Sequence, residues 1–102
     1  MPTAKQVTAE ELQQLYETFA SLSDPQDIEA LMEDMCTIRE IHEMAQRLSV
    51  AFMLDSGESY IAIQDKTNAS ATTIARVSKS LNYGAKGYRK IIDDEKQREK
   101  KE

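Results

Sequence analysis

The stretch "NASATTIARVSKSLNYG", residues 68–84, most constrains what this chain can fold into. Its aliphatic residues Ile74, Val77 and Leu81 fall three and four positions apart, the spacing of one edge of an α-helix. The opposite edge carries Ala71, Thr72, Ala75, Arg76 and Lys79, which are small, hydroxylated or cationic. Ser70 stands where a hydroxyl can cap the first turn, and Gly84 stands where the helix should stop. The expected element is therefore a short helix pinned to a core along one edge, offering a low, cationic face to a partner.

The rest of the chain is punctuated the same way. Thr8 and Glu11 have capping-box spacing, and Leu12, Leu15, Tyr16, Phe19 and Leu22 form an apolar face behind them. Asp24-Pro25 reads as N-cap and first residue of a second helix, with Ile28, Leu31, Met32 and Met35 inward. Thr37 and Glu40 form another capping box, opening a helix that carries Ile41, Met44, Ala45, Leu48 and Phe52 and ends at Gly57. A short helix from about Ser59 to Thr67 precedes the opening stretch. A last helix from about Lys86, burying Tyr88, Ile91 and Ile92, runs into a charged tail. No β-alternation appears, so the expected fold is an all-α single domain (1–102) of about six helices. It divides into dimerisation helices (8–57), a helix-turn-helix head (59–83), a C-terminal helix (86–96) and a charged tail (97–102).

A chain of 102 residues can bury only a modest core. The first helices have broad apolar faces enriched by Met32, Met35, Met44 and Met53, so a homodimer built from them is expected. No apolar run is long enough to span a membrane. No charged-then-apolar leader opens the sequence, so a cytoplasmic location is expected. One cysteine, Cys36, and one histidine, His42, exclude an internal disulfide and a metal cluster of ordinary spacing. No catalytic constellation is present either, and the chain is not expected to be an enzyme.

The net charge of −5 hides an uneven distribution. Residues 1–57 hold 3 Lys/Arg against 11 Asp/Glu, whereas residues 58–90 hold six cations against Glu58 and Asp65. A basic segment inside an acidic chain fits local contact with a polyanion.

Residues 60–79 have the pattern of a helix-turn-helix. The first helix buries Ile63, Asn68 can take the left-handed turn position, and Ala69 is small where the two helices approach. A helix entering the DNA major groove brings its N-terminal residues close to base edges, and small residues allow that approach. Thr72 offers a methyl and a hydroxyl, while Arg76 and Lys79 suit phosphates or guanine. The expected DNA-binding residues are Ser70, Ala71, Thr72, Ala75, Arg76 and Lys79, with Lys66 and Lys86, and beside them Arg89 and Lys90, on flanking phosphates. The alternative is a helical protein–protein adaptor that keeps the motif as architecture.

From "CTIREIHEMAQRLSVAFML" through "ASATTIARVSKSLNYG" the chain resembles the Trp repressor family, in particular its small YerC/YecD-type members. The resemblance covers about residues 8–95. It implies an intertwined all-helical homodimer and a transcriptional repressor of double-stranded DNA at a near-palindromic operator. It also implies tryptophan or another small-molecule corepressor, with Thr37, Arg47, Thr73, Arg76 and Ser80 on matching effector-binding positions. Two departures stand out. Val77 occupies a position that is glycine in the tryptophan-responsive member, and Ile61 and Gln64 replace two cations of the motif's first helix.

Overall fold

Among the described residues, 6–101 of a computed structural model, the chain forms six α-helices and no strand. They are α1 (Ala9–Ala20), α2 (Pro25–Met35), α3 (Ile38–Asp55), α4 (Tyr60–Thr67), α5 (Ala71–Tyr83) and α6 (Gly87–Lys101). The chain divides into two compact units, one up to Ile38 and one from Arg39 onward. The division falls at the start of α3, and Val50 and Ala51 of α3 belong to the same core as the helix-turn-helix.

In the first unit the caps of α1 and α2 form as the spacing requires. The Thr8 hydroxyl accepts from the Glu11 N–H at 3.1 Å, and the Glu11 carboxylate accepts from the Thr8 N–H at 3.3 Å. The Asp24 carboxylate accepts from the Gln26 N–H at 2.9 Å, with Pro25 opening α2. Neither helix contains a fully buried residue. Leu15, Phe19, Ile28, Leu31 and Met32 are half-buried, whereas Leu12 and Tyr16 are exposed, as is Met35 (55%), which was expected inward.

The second unit holds the core: Val50, Ala51, Ile63, Ala69, Ile74, Val77, Leu81 and Ile92. Helix α3 ends in a Schellman motif. The Glu58 N–H donates to the Met53 carbonyl at 3.1 Å and the Gly57 N–H to the Leu54 carbonyl at 3.0 Å, with Gly57 at φ +85°. Gly84 serves a different purpose, since a Cβ there would lie 2.4 Å from the Ser80 carbonyl oxygen. Ile91 is half exposed (50%), against the expectation of burial, because the single core-facing edge of α6 is taken by Ile92 with Tyr88 beside it.

The charged segment after residue 96 continues α6 as far as Lys101. Ion pairs account for its persistence: Lys90–Asp94 at 3.2 Å, Arg98–Glu95, and Lys96 reaching Asp55 of α3 at 2.7 Å.

Candidate nucleic-acid interface

The motif is built by a chain of local hydrogen bonds. The Ser59 hydroxyl caps α4 by accepting from the Ala62 N–H, and Asn68 ends α4 in the left-handed region at φ 61°. The Thr67 hydroxyl donates to the Ile63 carbonyl at 2.7 Å and accepts from the Ala69 N–H at 3.1 Å. Gln46 of α3 donates to the Thr67 carbonyl at 3.0 Å, which ties the turn to α3. Ser70 then caps α5: its hydroxyl accepts from the Thr73 N–H and donates to the Thr73 hydroxyl, each at 3.1 Å. Burial of Ile63, Ala69, Ile74, Val77 and Leu81 fixes the rotation of α5 about its axis.

That rotation leaves Ser70, Ala71, Thr72, Ala75, Arg76 and Lys79 exposed together on one face. Among the described residues, Arg76 and Lys79 make neither a hydrogen bond nor an ion pair, so both charges are free for a partner. Lys86, exposed and at φ 73° just before α6, is free in the same sense.

The other cations are already engaged. Lys66 is paired with Glu58 and borders a groove along α3 lined also by His42, Gln46, Ser49 and Met53. Arg89, expected as a phosphate contact, reaches Asp55 at 2.5 Å and lies 3.3 Å from Asp93; Lys90 pairs with Asp94. Asp55 is only 12% exposed. Hydrogen bonds from Lys96 and then Arg89 hold its carboxyl below the ordinary value of 3.8, against the opposing effect of burial.

A cleft of about 290 Å³ between α3 and α5 is lined by Glu43, Gln46, Arg47, Thr73 and Arg76. Three residues expected to hold an effector, Arg47, Thr73 and Arg76, therefore meet. Ser80 does not join them; it borders an apolar groove with Leu48, Ala85, Gly87, Tyr88 and Ile91. Thr37 lies in the first unit, immediately before α3. Sequence reading missed Glu43, although its four-residue spacing from Arg47 puts the two on one helix face. Glu43 pairs with Arg39 at 3.2 Å. It also missed Asp55, whose partner Arg89 is 34 residues away and leaves no local signal.

A family model described as "Trp repressor protein" matches residues 10–96. The chain belongs to the Trp repressor family. This family is one of helix-turn-helix DNA-binding regulators. The uncharacterized protein YerC of Bacillus subtilis (strain 168) is 44% identical over 89 residues, covering 87% of this chain and 86% of YerC. A crystal structure of a TrpR-like protein from Eubacterium eligens ATCC 27750 superposes with a TM-score of 0.82 at 41% identity, covering 84% of this chain and 89% of that one. A Staphylococcus aureus protein solved as a candidate Trp repressor gives 0.83 at 32% identity, covering 87% and 89%.

Within the Trp repressor fold, the departures read from the sequence now have places. Val77 is 2% exposed and packs into the core, and it is not among the cleft's lining residues. Ile61 is 73% exposed on the first turn of α4, so an uncharged apolar side chain stands there in water. No helix of the described chain is long and apolar enough to cross a membrane.

Proposed function

We propose that this member of the Trp repressor family is a sequence-specific transcriptional regulator, a repressor, that reads the major groove as a homodimer in the cytoplasm. The observation that carries the reading is the outer face of α5, where small residues at 71, 72 and 75 precede the unpaired cations Arg76 and Lys79. Small side chains let the helix tip approach base edges, and the cations a turn later suit phosphates. The exposed apolar faces of α1 and α2 support a dimer, with residues 8–57 as its dimerisation helices and 59–83 as its reading head. The α3–α5 cleft supports control by a small-molecule effector, and the family makes tryptophan one such candidate.

A second reading, a helical protein–protein adaptor, is favoured by the exposed Ile61 and by the internal pairing of Lys66, Arg89 and Lys90. Enrichment of random duplexes on the purified protein separates the two, with Arg76→Ala in parallel. A near-palindrome with half-sites about one helical turn apart, lost in the variant, supports the regulator. Duplex binding that is absent, or indifferent to salt, with and without added metabolites overturns it in favour of the adaptor.

A further inference from the structure

The direction in which α5 points is set at the turn before it. That turn keeps its own shape through local bonds, Thr67 with Ile63 and Ala69 and Ser70 with Thr73, all within four residues along the chain. Bonds of that kind fix the bend between α4 and α5. They do not fix where the bend sits against α3.

Apolar burial supplies part of that restraint, since Val50 and Ala51 of α3 share one core with Ile63, Ala69, Ile74 and Val77. Burial is non-directional, so it resists separation more than it resists tilt. A hydrogen bond has a preferred distance and angle and resists both. Gln46 provides one. It stands four residues before Val50, on the same face of α3. Its side-chain amide donates to the Thr67 carbonyl at 3.0 Å, across 21 residues of sequence. Thr67 is the last residue of α4, where helix carbonyls lack an intrahelical partner. The bond is partly buried, so removal of the donor leaves that carbonyl poorly solvated.

The reading helix lengthens any error at the turn. From Ala71 to Lys79 is about 12 Å of helix. A tilt of roughly 10° therefore moves the far end by about 2 Å, more than the roughly 0.5 Å that a precise binding constellation tolerates.

We propose that Gln46 is a positioning residue for the reading helix: from α3 it holds the end of α4, and so sets the angle at which α5 presents its outer face to base edges. This role rests on the DNA-binding reading above. Phosphate contacts depend on charge and tolerate a tilted helix, whereas base contacts depend on placement. Gln46 therefore serves selectivity among duplexes, not affinity for DNA in general.

Two variants of the full chain test the role. Gln46→Glu keeps the shape and removes the donor; Gln46→Leu removes the donor without adding charge. In the DNA-free protein, hydrogen exchange at the Asn68 and Ala69 amides should quicken severalfold in both, while the Val77 and Leu81 amides keep the parent's rates. Turn amides that exchange as in the parent overturn the hold of Gln46 on the turn. Binding is then compared on a duplex recovered by enrichment and on a scrambled one. The ratio of specific to non-specific affinity should fall about fivefold in each variant, the net worth of one hydrogen bond. The non-specific affinity of Gln46→Leu and its salt slope should match the parent's. A general loss of folded protein would lower both affinities together and leave the ratio intact, and that result overturns the role. So does a parent-like ratio in Gln46→Glu, because the amide N–H would then be dispensable. A parent that enriches no duplex overturns the DNA reading and the positioning role with it. A parent that reads its operator beside variants that read it equally well overturns the positioning role alone.

Discussion

On the proposed reading, Arg76 and Lys79 would supply affinity and Thr72, about one turn earlier, selectivity. Both are exposed and unpaired, so each charge is available to displace one counterion from a duplex. Alanine at either position should lower the slope of log K against log salt by roughly 0.9, measured by fluorescence anisotropy over a salt series. Thr72→Ala should leave that slope alone. Loss of its methyl contact should change preference among bases by about 0.8 kcal/mol, seen by repeating the enrichment. The glycines give a second residue-scale contrast. Gly57 sits at φ +85° with open space around it, whereas a side chain at Gly84 would strike the Ser80 carbonyl oxygen at 2.4 Å. Asparagine tolerates the left-handed region, so Gly57→Asn should be mild and Gly84→Asn should cost roughly 1–3 kcal/mol in urea unfolding.

At the scale of elements, what was legible in the sequence was what is local. The caps Thr8, Asp24 and Ser70, and the turn at Asn68, sit beside the helices they serve and were readable from type and spacing, whereas Ser59, expected as the start of α4, is its cap. Periodicity also found the inner edge of α5, because three buried aliphatics leave one possible rotation. It could not say what covers an apolar face, and so it placed Met35 and Ile91 inward. It could not see contacts between helices distant in sequence, and so Arg89 was assigned to phosphate when Asp55 holds it. That clamp predicts an acid response. The Asp55 carboxyl is held below its ordinary value of 3.8, chiefly by Lys96 and then by Arg89, so the charged form is favoured in the folded chain. Its contribution to stability is complete above the unfolded value and is lost as pH falls through the folded one. Asp55→Asn should therefore melt lower than the parent at neutral pH, and the gap should close as pH drops below about 3.8, followed by circular dichroism. A gap unchanged at low pH would mean that the clamp acts by packing alone.

Over the whole molecule, the two compact units differ in how completely they satisfy themselves. The second has a closed core of eight buried residues, contributed by α3, α4, α5 and α6 together with Ala69 of the turn. The first has no buried residue among those described, and leaves Leu12, Tyr16, Met35 and Ile38 in water. A surface of that kind on a small chain calls for a partner surface, and a second copy offers the same broad faces in return. The acidic balance of residues 1–57 disfavours nucleic acid as what covers it, so on the proposed reading the two halves of the chain would face different partners. If a second copy covers it, folding and association are linked, and the melting temperature should rise with protein concentration. Sedimentation should give twice the 11.6 kDa of one chain, and Leu12→Glu with Met35→Glu should return it towards 11.6 kDa while lowering the melting temperature. A parent protein that sediments as a single chain, with a melting temperature independent of concentration, would remove the dimer, and with it the expectation of two half-sites one helical turn apart.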